Sequence, residues 1–458
     1  MSDNVVLEGT LGPEQTLSYI YLPFDVPVGV VKILVSYTYS NAIGSDPHLT
    51  NGNTIDIGIF DPRGTDFMTE GFRGWSGSAR NEFFIGTDTA TPGYTPGPIQ
   101  PGIWSICLGL YKISADGCQY RVDIALETGT ATSAAFLSLL PLSSESRSDK
   151  SSSSGWLKGE LHCHTVNSDG DSQPADLVAR AEALGLDFLA ITDHNVRTGQ
   201  PSLLNIDTDL ILIPGMEVTT YYGHWNVWGD GDWIDFRLLE EDQMRIAIST
   251  AKERGFLTSC NHPRQYGPDW VFKSVDNFDC VEIWNGPWVV FNQEALDFWE
   301  TKLRAGQRYP ALGGSDAHFL KRDHIAQMGT PTTWIHCDGD PSAQRLIENM
   351  RAGRVFITAS PDGPELFLKS GEAMMGDYIG RPSSGKIPIE VEVKGGKGAI
   401  LELRGANGLL HQTSIQQDVE HVHIEVDAAL FVRAQLLDDV SSQAEVLALT
   451  NPIYVIED

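Results

Sequence analysis

The first 142 residues alternate in short bursts. "SYIYLPF", "VVKILVSYTY", "TIDIGIF", "GIWSICLGLY" and "YRVDIALET" are rich in β-branched and aromatic residues and are bounded by Gly, Pro and Asp. Strands of that length and spacing predict an N-terminal β-sandwich over residues 1–142. Residues 143–155, "SSESRSDKSSSSG", hold eight serines in thirteen positions and no large apolar side chain, so the segment has nothing to bury and is expected to be a linker.

After the linker the period changes. "LKGELHCHT", "PADLVARAEALGLD" and "FLAITDH" read as strand, helix and strand, with Leu177, Val178, Ala181 and Leu184 on one helical face. The alternation continues through "LILIPGMEV", a helix near 238–254, "GFLTSCNHP", "DCVEIWNG", a helix near 291–305, "YPALGGSDAH" and "TTWIHCD". A last helix is expected to take Asp340 as its N-cap and Pro341 as its first residue, and to end at Gly353. Residues 156–360 therefore read as an α/β domain. From 361 to 458, "PIEVEVKGG", "AILELRG", "HVHIEVD", "LFVRAQLL" and "PIYVIED" return to strand texture and predict a C-terminal β-sandwich domain.

Composition narrows the partners. A formal charge of −29, from 32 basic and 61 acidic residues, opposes binding to a phosphate backbone, so no long nucleic acid is expected. Six cysteines without a CxxC pair are too few for a disulfide scaffold, and a hairpin turning near Ala115 would leave Cys107 and Cys118 out of bridging register. No basic residue precedes Lys32, Asp3 and Glu8 stand where a signal peptide needs a positive region, and no apolar run approaches the ~20 residues a membrane span requires. A cytoplasmic protein without a membrane partner is expected.

The chemistry gathers where strands end: His162, His164 and Asp169; Asp193 and His194; Glu217 and His224; His262; Asp316 and His318. Alternate side chains of a strand share a face, so His162 and His164 project together, as two ligands of one metal must. A single histidine at such a place is more often an ordinary hydrogen-bonded residue. Six of the chain's twelve histidines lie at these junctions, however, and burying so many imidazoles beside carboxylates without a cation is costly. Nine candidate ligands exceed what one tetrahedral or octahedral ion can use, and imidazole with carboxylate suits Zn, Mn or Fe. "HVH" at 421–423 is an internal control, since no neighbouring motif completes a site there.

Taken together, "HCH" at 162–164, "SDG" at 168–170, "TDH" at 192–194, "GMEVTT" at 215–220, "GHWN" at 223–226, "NHP" at 261–263 and "GSDAH" at 314–318 resemble the polymerase and histidinol phosphatase (PHP) superfamily of metallohydrolases. "GHWN", "GSDAH" and the terminal "TNPIYV" look closest to its carbaryl-hydrolase-like branch. The resemblance covers about 157–360 and implies a distorted (βα)7 barrel holding two or three divalent metals. It assigns His162, His164, Glu217 and Asp316 to the first metal, Glu217, His224 and His262 to the second, and Asp169, His194 and His318 to the third, with Glu217 bridging. Glu217, Asp316 and His194 would be the catalytic members, and Asp193 an acceptor orienting a ligand histidine.

The reaction expected of such a site is hydrolysis by metal-activated water, first of small phosphate mono- or diesters. Arg264 and Asn285 are the candidate substrate-binding residues. A carboxylic ester or carbamate is the alternative substrate, suggested by Tyr221, Tyr222, Trp225, Trp228, Trp233, Trp270, Trp284 and Trp288 near the ligand motifs. A metal-stabilised binding module without catalysis is the alternative of another class. The sandwiches are expected to pack against the barrel, restrict its mouth or make contacts within a homo-oligomer, and the linker also permits an independent N-terminal module.

Overall fold

The computed structural model describes residues 3–130, 155–203, 205–265, 269–441 and 444–456. All of the Ser-rich segment except Gly155 lies outside them.

Two four-stranded antiparallel sheets precede that segment. One orders Asp3–Leu11, Cys118–Thr128, Val30–Tyr39 and Glu82–Gly86; the other Tyr19–Val26, Gly102–Lys112, Thr54–Phe60 and Phe72–Gly77. Ile33, Val35, Ile124 and Leu126 of the first face Ile55, Ile57, Ile106 and Leu108 of the second in one buried cluster. The second sheet is covered on its other side as well, because Phe60, Trp75 and Cys107 join a cluster with Val218, Trp225 and Phe236 of the middle segment. Burial on both faces is why "GIWSICLGLY" is apolar without strict alternation. Cys107 and Cys118 lie in different sheets rather than in one hairpin, and all six cysteines are free and buried.

The N-terminal pair of sheets is docked against the middle segment, not held at a distance. Phe72 stacks on Trp233 at 4.1 Å and Trp75 packs against Phe236 at 4.6 Å. Met68 N donates to Asp235 Oδ2 (2.8 Å), while Arg237 pairs with Asp235 and donates to the carbonyls of Thr65 and Asp66 (2.9 and 3.0 Å).

In the middle segment, strands Trp156–Glu160, Phe188–Ile191 and Ile211–Thr220 run parallel, as their intervening apolar-faced chain requires. The regular alternation then breaks. Gly223–Trp228 turns straight back on Ile211–Thr220 through Tyr221 and Tyr222 and pairs antiparallel with it and with Leu257–Cys260. Parallel pairing resumes through Cys280–Asn285 and Ala311–Gly314, whereas Thr332–His336 and Val355–Thr358 add antiparallel on the far side of Trp156–Glu160. Two-residue turns permit only antiparallel neighbours, so "GHWN" could not have continued a βα series. Helices Pro174–Ala183, Glu241–Glu253 and Asn292–Arg304 fall where the periodicity places them. The last helix is Ala343–Arg351, capped by Ser342, whose Oγ accepts from Arg345 N (3.2 Å); Asp340 and Pro341 precede the cap.

The C-terminal segment forms two facing sheets, one of which is continuous with the sheet of the middle segment. Its strand Val446–Thr450 pairs with Val355–Thr358, and Phe431–Leu437, Ile400–Gly405 and Gly408–Ser414 continue the same sheet across the expected 360/361 boundary. A facing sheet, with Glu365–Ser370, Lys386–Lys394 and Val419–Asp427 at its centre and one edge, closes a core around Leu368, Val391, Leu403 and Leu436. No helix among the described residues is long and apolar enough to cross a membrane.

The edge strand Ala311–Gly314 is joined through side chains to the interior strand Thr332–His336 of the same sheet, which therefore curls. Gly313 N donates to Thr333 Oγ1 (3.1 Å), and that hydroxyl donates to Gly313 O (2.7 Å). Asn451, from "TNPIYV", accepts from Ala311 N (2.7 Å) and donates to Ala311 O (2.9 Å) and Val355 O (3.0 Å), acting as a short strand between two edges. Asn451→Ala removes these three bonds from a buried seam and is expected to cost about 2–4 kcal/mol, read as a lower midpoint of chemical unfolding.

Candidate metal centre

Two motifs distant in sequence become one ledge. Asp316 N donates to His162 O (2.8 Å) and His164 N to Ala317 O (2.9 Å), so "GSDAH" extends beside "HCH". Glu160, fully buried, fixes both: its Oε1 accepts from Leu161 N, His162 N and Ser315 N at 2.9–3.0 Å, and its Oε2 from Gly329 N at 2.8 Å. Asn195 ties the next pair of strand ends, giving Nδ2 to Thr219 O (3.0 Å) and taking Thr219 N on Oδ1 (2.7 Å). Asn195, His262 and Asp316 have positive φ (60°, 29° and 54°), a backbone state that costs energy and is held by these surroundings.

Glu217, 0% exposed, stands at the middle. Its Oε2 lies 2.8 Å from His194 Nδ1, 3.4 Å from His162 Nε2 and 3.6 Å from His164 Nε2. Its Oε1 lies 3.2 Å from His262 Nε2 and 3.3 Å from His224 Nδ1. Asp316 Oδ1 is 3.0 Å from His164 Nε2 and 3.4 Å from His162 Nε2, and Asp169 Oδ1 is 3.3 Å from His318 Nε2 and 3.5 Å from His194 Nε2. The donor atoms fall into three groups, each within 4.8 Å: His162, His164, Glu217 and Asp316; Glu217, His224 and His262; and His164, Asp169, His194 and His318. All nine residues singled out by the sequence are therefore brought together, and His164 joins the third group as well as the first.

Electrostatics favour charge on this cluster. Burial alone would raise the Glu217 carboxyl, but His162, His224 and His194 outweigh it and hold the group well below the carboxylate range. Asp316 behaves alike, chiefly through His162. Burial would depress His318, yet Asp169 carries it up to about 10, while burial and the neighbouring His318 and His194 push His164 down to about 3. Buried His162 Nε2, His164 Nδ1, Glu217 Oε2 and His262 Nδ1 have no hydrogen-bond partner among the described residues. His162 Nε2, orphaned 3.4 Å from the orphaned Glu217 Oε2, together with the imidazole and carboxylate atoms around it, makes the donor set divalent cations take, and the residues present fit such ions.

Other roles differ from expectation. Asp193 does not hold a histidine by hydrogen bond; its oxygens accept from Thr165 N and Thr165 Oγ1 (both 2.7 Å) and Ser168 Oγ (2.9 Å), pinning the turn that carries Asp169. The orienting carboxylate is Glu282, whose Oε1 accepts from His162 Nδ1 at 2.8 Å. Asn261 donates to Glu217 Oε1 (3.0 Å). Neither was singled out, although Glu282 sits in the same strand-end "EIWNG" that drew attention to Asn285. Arg264 is buried rather than a surface residue; it donates to Asn285 Oδ1 (2.5 Å), and Asn285 Nδ2 donates to Glu282 Oε2 (3.1 Å). Trp225, Trp228, Trp270 and Trp284 are core residues. At the control site, His421 and His423 are exposed, with Glu390 3.8 Å from His421, and they belong to none of the three groups.

One contribution comes from outside the middle segment. Arg80 donates to Ser168 O (3.0 Å) and to Val166 O, gripping the turn before Asp169 from the N-terminal sheets. No sequence pattern marks it.

Residues 160–240 match the PHP domain family model. A 5'-3' exoribonuclease of Haemophilus influenzae is 38% identical over 65 residues, 14% of this chain and 24% of that protein. The 5'-3' exoribonuclease Rnm of Salmonella typhimurium is 28% identical over 131 residues, 28% of this chain and 41% of that protein. The chain thus spans less than half the length of these curated relatives. A solved two-domain protein of Bacteroides vulgatus, described as containing a predicted PHP-like metal-dependent phosphoesterase, superposes with a TM-score of 0.36 at 16% identity, covering 65% of this chain and 95% of that one.

Arg80→Ala should loosen the 165–170 turn while leaving both N-terminal sheets folded. Hydrogen exchange is expected to quicken in peptides covering 165–170 and to stay unchanged in strand Gly102–Lys112.

Proposed function

We propose that this chain is a metal-dependent hydrolase, and that its substrates are small phosphate mono- or diesters. The observation that supports this best is the fusion of three donor groups, two through Glu217 and the third through His164, beside one cavity. His162, His164, Glu217 and Asp316 would hold one divalent ion, Glu217, His224 and His262 a second, and Asp169, His194 and His318, with His164 adjoining, a third. Such ions, when bound, bring the pKa of water toward neutrality and neutralise phosphoryl oxygens.

The protein's own side chains do the positioning. Glu282 keeps the proton on His162 Nδ1, which leaves Nε2 aimed at Glu217 and Asp316. Arg264, lining the cavity and braced by Asn285, is placed to bind an ester oxygen. Asp169, Asp316, His194 and His318 are the ligand candidates most exposed to the cavity, so the ester linkage is expected to rest against them. Hydrolysis adds water across the P–O bond and releases phosphate, or a phosphomonoester, together with an alcohol. The part of the sheet that curls until its edge at Gly313 meets Thr333 is, in this reading, the distorted barrel of the superfamily, and six free thiols suit a reducing compartment.

The carboxylic-ester alternative loses its main support with four of the tryptophans in the core. The names of the curated relatives suggest 5'-3' exonucleolytic cleavage of RNA, which the charge of −29 disfavours for long strands. Four probes separate these readings: p-nitrophenyl phosphate, bis(p-nitrophenyl) phosphate, naphthyl acetate and a 5'-phosphorylated oligoribonucleotide. Turnover of one or both nitrophenyl phosphates is expected; turnover of naphthyl acetate alone would overturn the phosphoesterase proposal.

His162→Ala and Asp316→Ala are each expected to lower activity by at least about 100-fold and to lose metal by elemental analysis, with the N-terminal sheets intact. Wild-type turnover and metal content in either variant would refute the assignment. Chelation is expected to lower the melting temperature and Mn or Zn to restore it, because cations relieve the repulsion of the clustered carboxylates and fill orphaned donors.

A further inference from the structure

The cavity above the donor groups measures about 740 Å³, the size of a small-molecule site, and only part of its wall belongs to the middle segment. The rest comes from the N-terminal sheets, through Tyr19, Tyr39, Asp56, Trp75 and Tyr111. Tyr221 reaches across to them. Its ring stacks on Tyr19 (5.2 Å, 9° between planes) and on Tyr111 (5.5 Å, 24°), and its hydroxyl donates to Asp56 Oδ2 at 2.8 Å. Asp56 Oδ1 has no hydrogen-bond partner among the described residues, and Asp56 is only half-buried at the wall.

Charge on this wall has one sign. Asp46 and Asp56 line it opposite Asp169 and Asp316, and Arg264 is the one lysine or arginine among the described lining residues. A second phosphate directed toward the N-terminal sheets would meet the Asp46 and Asp56 carboxylates, while Lys112, 5.2 Å from the Tyr111 ring, is held on the carbonyls of Gly44 and Asp46 and does not line the cavity. A flat group would meet tyrosine rings, and a donor on it would find Asp56 Oδ1.

Resting on the phosphoester reading above, we propose that the N-terminal sheets select the alcohol half of the substrate: an aromatic group, neutral or cationic, that carries a hydrogen-bond donor to Asp56. Tyr111 and Asp56 are then specificity-determining residues. Burial lifts the Asp56 carboxyl to about 7 despite the Tyr221 hydroxyl, so an arriving cationic donor restores the ionised carboxylate by pairing with it. This also separates the chain from enzymes that follow a polyanionic strand, because the cavity is repulsive in the direction a strand would run.

The test compares methyl phosphate, phenyl phosphate, 4-(aminomethyl)phenyl phosphate and 4-carboxyphenyl phosphate on the full metal-loaded chain. Wild-type kcat/KM is expected to favour the aminomethyl over the carboxy compound by about tenfold or more. Asp56→Asn, which keeps an acceptor for the Tyr221 hydroxyl, should shrink that ratio to about threefold or less. Tyr111→Ala should raise KM for phenyl phosphate about five- to tenfold and leave methyl phosphate unchanged, with Tyr111→Leu replacing it if the alanine variant does not fold. Calorimetric binding of tyramine against 4-hydroxybenzoate gives a readout that needs no turnover. Phosphate ester turnover with no aryl or charge preference, or ratios unmoved in both variants, would overturn the wall. Tyramine binding that depends on Asp56 without turnover of any phosphate ester would keep the wall and defeat the phosphoesterase reading instead.

Discussion

A carboxylate sealed from water among imidazoles is the constraint on which this molecule is built. Removing an ion such as Glu217 from solvent costs several kcal/mol unless charge and hydrogen bonds are supplied around it. Here five histidines and Asn261 supply them, delivered by four separate stretches of chain. The residues of this cluster are useful only if the strand ends bearing them arrive in register, so the centre and the sheet specify one another.

The sheet meets that demand with polar devices rather than with apolar packing alone. Glu160 accepts four backbone amides to hold "HCH" against "GSDAH", Asn195 laces two strand ends, and Asn451 closes a seam. Positive φ at His262 and Asp316 shows the same economy, since the local backbone accepts strain where the donor must turn inward. The edge opposite the C-terminal extension is kept from ending in open hydrogen-bonding groups by the same device of side-chain bridges.

What the residue pattern revealed and what it hid follow one rule. Period and spacing report which way a side chain points, so the paired histidines and the longer helices were legible before any coordinates, whereas the shared glutamate was implied by the family likeness of the motifs. They do not report who sits opposite. The antiparallel strand Gly223–Trp228, the sheet running on past residue 360, and the core placement of four tryptophans are facts of partnership between remote segments, and none leaves a local trace. Asp193 misled for a related reason: beside His194 in sequence, it turns to the Thr165 turn in space, and the orienting carboxylate, Glu282, arrives from 120 residues away. Arg80 was the least visible, since an arginine in a surface loop carries no mark of the turn it will grip.

Arg80 also bears on how such a protein can change over generations. The residues before the Ser-rich segment look like an exchangeable cassette, joined by a stretch with no apolar side chain. Yet the turn carrying Asp169 is anchored from that cassette, and the same cassette lines the approach to the donor groups. Recombination at the linker would hand the metal cage a stranger's grip along with a stranger's selectivity, so the two halves are bound to diverge in step, by paired substitutions across their shared face instead of by wholesale swapping.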